Sequence, residues 1–396
     1  MSPGLIVLIL SLLMGLQPVT TDLYLPALPG LAQDLGAAMT QAQLTLSALL
    51  LAFGLSQLIW GPLSDRFGRR PILLLGLAAY VLASIASTLA PSIGVLIACR
   101  IVQGAAMGAA IVCARAIVRD LYPPLAGAQV MSKSMTGLGV MACLSPPLGG
   151  LLSDLYNWRA ALLVLAIFGA VCLGLVALRF TESLPTTRRQ PLHPLMLARS
   201  WLGILRHPTF WTFSSLTSAT YAGLFTFLAS SSFVFIEVLG LGKTQYGLLM
   251  FSMAFAYILG TFLCRRLLSR FGVRRTVAVG GALSVTGGTL MGLLALAGWH
   301  NGWAIMLPFY LFMLGHGVHQ PCGQSGAVGP FPQAAGAASA LNGFAMMLVA
   351  FGVGSWLGGH MDGTVYPLAL GVWFWSTLVA ALAWTAVQKH GDPGGH

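Results

Sequence analysis

Apolar runs of bilayer length recur from one end of this chain to the other, and no other feature limits its fold so severely. A stretch of about 20 apolar residues crosses the hydrocarbon core as an α-helix. Twelve such runs lie near 4–25, 41–62, 71–90, 93–116, 129–152, 159–179, 209–235, 245–266, 275–297, 303–323, 336–358 and 367–388. Charged residues make up 7% of the chain and hydrophobic ones 57%, too little polar surface for a soluble protein. The expected class is an all-α membrane protein. The first run, from Leu5, lacks a basic leader and a small-residue cleavage site, so it is read as a retained helix.

The net charge of +11 is explained by where Lys and Arg lie relative to the membrane, not by nucleic acid. If odd-numbered spans run outward, 17 of the 20 basic residues fall at cytoplasmic loops or helix ends. Only Arg159 and Lys243 lie outside, and Arg100 lies within a span. Basic residues concentrate on the cytoplasmic side, so both termini are expected there. The six cysteines lack CxxC spacing and sit in or beside apolar runs, which argues against disulfides and a metal centre.

The longest polar stretch, 180–207, divides the spans six and six and carries Pro185, Pro191 and Pro194. The expected organisation is a six-helix bundle over 1–179, a linker over 180–207 lying on the membrane face, and a second bundle over 208–396. An amphipathic turn is expected around Leu195–Leu205. An internal echo supports two pseudo-symmetric halves: LSDRFGRR at Leu63–Arg70 returns as LSRFGVRR at Leu268–Arg275 without the acid at Asp65. Both copies follow the second span of their half. Paired six-helix halves are the build of transporters that alternate access.

The turn Gly61–Pro71, GPLSDRFGRRP, packs Asp65, Arg66, Arg69 and Arg70 between two spans. Gly61 and Gly68 permit close approach or positive φ, and Pro71 is preset to begin a helix. In its Gly61, Leu63, Asp65, Arg66, Gly68, Arg69 and Arg70, this turn resembles the signature of the major facilitator superfamily. RIVQGAAMG at Arg100–Gly108 is similar to the fourth-helix motif of proton-coupled members. Gly137–Gly150, ending SPPLGG, is similar to the antiporter motif, with Ser145 where glycine is usual. TTDLYLPALP at Thr20–Pro29 points to drug–proton antiporters of the bicyclomycin and chloramphenicol resistance group. The resemblance covers the first half well and the second mainly through topology. It implies that Asp65 and Arg69 work with Asp120 as a latch, flanked by Arg115 and Arg119. It also implies a proton as coupling ion, no other cofactor, and a cytoplasmic-membrane location.

Asp22 lies late in the first span, where a carboxylate costs roughly 2.5–3.5 kcal/mol unless it faces water. Pro18, one turn earlier, disrupts the helix and admits water. Asp22 is read as a proton carrier, the alternative being a hydrated residue at the outer helix end. Arg100 keeps its proton and needs a carboxylate or carbonyls, so a pair with Asp22, direct or through water, is expected, with Gln103 in the same polar core. Gly137, Gly139, Gly149 and Gly150 are expected to let the fifth helix pack closely while Pro146 and Pro147 bend it. Asp154, Trp158 and Arg159 are read as an outer cap, His316 and His319 as satisfied polar groups, and Glu237 as a weak cavity candidate.

Candidate pocket residues are Gln17, Thr21, Tyr24, Gln57, Gln103, Tyr221 and Tyr257, a lining suited to small, partly apolar compounds. The expected activity is proton-coupled export of drug-like molecules by a monomer in the lipid bilayer. A metabolite exporter, a lipid-modifying membrane enzyme and a passive channel are the alternatives. No GxxxxGK[ST] occurs, which argues against an ATP-driven motor in this chain.

Overall fold

The computed structural model describes residues 2–189 and 194–391, and among them every regular element is helical. Ten runs are long and apolar enough to cross a membrane. The longest, Lys243–Leu296, is two helices joined at Gly272, whose φ of 71° no ordinary helix holds. A further helix, Gly302–Val328, has 27 residues, about 40 Å at the α-helical rise. Its two histidines, glutamines and internal Pro308 and Pro321 interrupt its apolar run. Twelve spans result.

They are α1 (Pro3–Asp22), α2 (Met39–Phe67), α3 (Arg69–Thr88), α4 (Ile93–Leu121), α5 (Pro124–Leu155) and α6 (Trp158–Arg179). The rest are α7 (Pro208–Ser232), α8 (243–271), α9 (273–296), α10 (Gly302–Val328), α11 (Ala335–His360) and α12 (Tyr366–Trp384). The stretch between α6 and α7 holds a twelve-residue helix, Pro194–Leu205. The linker expectation at 190–193 lies outside the described residues.

The chain forms two compact units. One comprises Met1–Pro194 with Gly242–Leu248, the other Leu195–Leu241 with Leu249–His396. In the first, α4 packs on α2 and α3, α5 on α1, and α6 on α3. Glycines set these distances. A Cβ at Gly104 would land on the Leu49 backbone, and one at Gly76 would lie 2.5 Å from the Ala109 Cβ. Trp60 of α2 fixes the register by donating to the Ala105 carbonyl at 2.7 Å.

In the second unit α7 is the central rod, packed on α10, α11 and α12. Gly260 and Gly317 bring α8 and α10 into backbone contact, while Gly287 and Gly292 seat α9 on α10 and α12. Thr217 of α7 donates to Asn342 of α11 at 3.0 Å, a buried polar tie. Leu82, Ile167, Leu178, Leu259 and Phe374 project outward from their units, which is where bilayer tails replace water. All six cysteines are free, and Cys264 and Cys322 bring their sulfurs to 3.6 Å across α8 and α10.

Candidate functional site

α1 breaks at Asp22 for a local reason. Pro26 carries no N–H, so the Asp22 carbonyl loses its helical donor and the chain passes through a 3₁₀ turn, Leu25–Ala27. Helix then resumes over Leu28–Asp34. The apolar run is therefore Pro3–Asp34, 32 residues long, and Asp22 sits at an internal break, not at the run's end. Thr20 and Thr21 turn their hydroxyls back on the Leu16 and Gln17 carbonyls around Pro18. Thr21 also binds the half-buried Asp22 carboxylate at 2.7 Å.

Asp22 and Arg100 form no direct ion pair. Fully buried, Arg100 gives one amino group to Gln103 Oε1 at 2.7 Å and the other to the Thr20 carbonyl at 3.2 Å. Its guanidinium carbon lies 4.2 Å from the centre of the Tyr24 ring. Asp22 is two residues beyond Thr20, about 200° around the helix axis, so a side chain reaching Thr20 is on the wrong face. The knot continues outward: Gln103 donates to Ser84 Oγ at 2.6 Å, Tyr80 and Thr20 share a hydrogen bond at 2.6 Å, and Tyr24 meets Thr45 at 2.8 Å. Tyr24 and Gln103, taken as pocket residues, are thus committed to holding Arg100. Gln57 is buried, Thr21 is engaged with Asp22, and Gln17 is half-buried beside the break.

The α5 motif works through backbone approach. A Cβ at Gly149 would strike the Leu23 carbonyl just past Asp22, and one at Gly150 would strike the Lys243 carbonyl. Gly247 faces Pro146 and Pro147 in the same way, and Gly137 faces Ser11. Gly139 meets nothing within 4 Å, so the close-packing expectation fails there. Beyond the motif Asp154 accepts from the Thr244 amide at 2.8 Å and its hydroxyl at 2.6 Å, capping α8. Trp158 donates to Asp34 at 2.8 Å, and Arg159 holds the Thr88 and Ala90 carbonyls.

At the α2–α3 turn the expected span boundaries shift. α2 runs on to Phe67 with Pro62 inside it, and the turn is one residue, Gly68, at φ 101°. Gly61 lies within the helix with only Val112 at 4.0 Å, and Pro71 is the third residue of α3, not its first. Arg69 is 1% exposed and is answered by Asp65 at 2.6 Å, Asp120 at 2.8 Å and Ser64 at 2.8 Å. Arg119 reaches Asp65 at 3.7 Å, and Ser183 donates to Asp120 at 3.3 Å. Arg66 is exposed over the Phe67 ring.

Sequence reasoning missed Glu182. Its two carboxylate oxygens accept the Arg69 and Arg70 amides at 2.9 and 3.1 Å, capping α3 where the helix dipole is positive. A Cβ at Gly68 would come within 2.5 Å of that carboxylate. The available signal was a single acid just after α6 in a chain with nine.

In the second unit His316 pairs with Thr220 at 3.0 Å and lies 5.7 Å from the Tyr257 ring, while His319 bonds the Val277 carbonyl at 3.2 Å. No group of three metal-ligating side chains forms among the described residues. Tyr221 stacks on Phe225, and Glu237 is exposed on the π-turn Phe233–Val238.

Residues 10–355 match the family model described as the Major Facilitator Superfamily. The chain is 32% identical over 338 residues to multidrug resistance protein D of Escherichia coli, covering 85% of this chain and 84% of that one. It is 28% identical over 367 residues to the bicyclomycin resistance protein homolog of Haemophilus influenzae, covering 93% and 92%. Its fold is similar to that of a D-xylose–proton symporter at a TM-score of 0.75 and 16% identity, covering 96% and 97%.

Proposed function

Because the chain belongs to the Major Facilitator Superfamily, a family of membrane transporters and not of enzymes, we propose that it exports small drug-like compounds in exchange for protons. The relatives named for multidrug and bicyclomycin resistance support drug-like substrates of the bicyclomycin kind, and the resemblance carried by Thr20–Pro29 adds amphenicols. The location is the bacterial cytoplasmic membrane, with both termini cytoplasmic by the distribution of Lys and Arg. The coupling ion is the proton, alternating access is the transport mode, and the working form is a monomer. The two halves, joined by the 180–207 linker, are the alternating elements.

One observation carries the coupling assignment. Asp22 is a carboxylate at an internal helix break with a neutral threonine as its side-chain hydrogen-bond donor. Asp65 and Asp120, by contrast, are both held by the Arg69 guanidinium. Arg100 is then a fixed cation that braces α1 against α4, and Asp65, Asp120, Arg69 and Arg70 form a latch. Gln17, Thr21, Gln57, Tyr221 and Tyr257 remain the pocket candidates.

The test is chloramphenicol and bicyclomycin movement across proteoliposomes under an imposed pH gradient. Wild-type protein moves drug uphill. Asp22→Asn binds drug but ceases to accumulate it against a gradient. Uphill transport by Asp22→Asn at the wild-type rate would refute the carrier role.

A further inference from the structure

The two copies of the repeated turn solve the same electrostatic problem differently. Aligned on the positive-φ glycines Gly68 and Gly272, Arg66-Phe67 matches Arg270-Phe271, Asp65 matches Ser269, and the buried Arg69 matches Val273. The first turn holds Asp65, Asp120 and Glu182 around its arginines. The second concentrates Arg265, Arg266, Arg270, Arg274 and Arg275 within eleven residues. The described acids of its unit, Glu237 and Asp362, lie in the α7–α8 and α11–α12 connections, one helix length away. No ion pair to Arg265, Arg266, Arg270 or Arg275 forms among the described residues.

Four of these arginines, at 265, 266, 270 and 275, are exposed. Large apolar side chains stand among them: Phe262 is 58% exposed with Arg265 4.5 Å above its ring, and Phe271 is 45% exposed under Arg270. Gln388 binds the Arg274 carbonyl at 3.0 Å, which holds the helix Ala386–His390, with Lys389, at the same place. Arginine forks match phosphate oxygens, and aromatic side chains beside them suit the boundary between headgroup and acyl chain.

We propose that the α8–α9 turn binds the phosphate of an anionic phospholipid, which supplies the counter-charge that carboxylates supply at the α2–α3 turn. The site commits to lipid over free phosphate, because the exposed phenylalanines offer surface that only an acyl chain would cover. Surface attraction of each arginine is worth about fivefold in affinity, so removing three lowers it on the order of a hundredfold.

Native mass spectrometry of the delipidated full chain, incubated with phosphatidylglycerol or phosphatidylcholine, reads this directly. Phosphatidylglycerol is expected to be retained about tenfold or more over phosphatidylcholine. The triple variant R265Q/R266Q/R270Q should lose that retention, and R265K/R266K/R270K should keep most of it. Should the glutamine triple not give monodisperse protein, R266Q and R270Q alone, each about fivefold weaker, decide. Equal retention of both lipids, undiminished binding by the glutamine variants, or displacement of the lipid by excess inorganic phosphate would each overturn the proposal.

Discussion

Arg69 and Arg100 are both buried guanidiniums, and their surroundings meet the same desolvation cost in different ways. Arg69 sits between two carboxylates and a hydroxyl, whereas Arg100 has an amide oxygen, a backbone carbonyl and the Tyr24 ring face. Removing one partner of a buried ion pair leaves the other charge uncompensated, at about 3–5 kcal/mol. Arg69→Gln should therefore lower stability by that order. Arg100→Gln strands no carboxylate and gives up charge-assisted bonds worth about 1.5–3 kcal/mol each gross, partly offset by relief of a buried charge. Thermal melts in detergent should rank Arg69→Gln as the more damaging, and the reverse order would contradict the arrangement. The presence of both arginines in polar motifs was legible in the sequence. Which groups answer Arg100 was not, because Thr20 contributes a backbone carbonyl and Tyr24 a ring face, neither of which a residue type announces.

At the scale of elements, glycine positions separate conformational need from packing need. Gly272 has positive φ and nothing within 4 Å of a Cβ, so Gly272→Ala should cost about 1–2 kcal/mol, the left-handed penalty alone. Gly68 has positive φ and also faces the Glu182 carboxylate, so Gly68→Ala should cost more and loosen the α3 cap. Urea midpoints of the two variants test the order; equal losses would mean Glu182 yields without cost. On α5, Gly149→Leu pushes against the Leu23 carbonyl, next in the chain to Asp22. It should reduce pH-driven transport much further than Gly139→Leu, whose side chain enters open space. Transport assays with matched protein amounts compare them. Both glycines stand in one sequence motif, and only neighbouring helices distinguish them.

For the molecule as a whole, transport energetics are the discriminating quantity. An exporter coupled to protons stops uphill movement when a protonophore collapses the gradient, while passive drug exchange continues. Fluorescent-substrate efflux from proteoliposomes should show that loss within the time of gradient decay. Drug accumulation indifferent to the protonophore would contradict proton coupling. The division into six and six spans, the repeated turn and the basic asymmetry were all readable before any coordinates, since each is a one-dimensional pattern along the chain.

The amino-acid sequence by itself determined that this chain is helical, that it crosses a membrane twelve times, and which turn concentrates its charge. Those properties follow from hydrophobic run length and from glycine and proline placement, which act within a few residues of one another. Tertiary structure alone decided that Arg100 turns away from Asp22, that Glu182 caps α3 from more than a hundred residues away, and that Tyr24 and Gln103 brace a cation. Hydrogen bonds and close backbone contacts across helices depend on the face each helix presents, and a near-uniform apolar sequence does not encode that face as a periodic pattern.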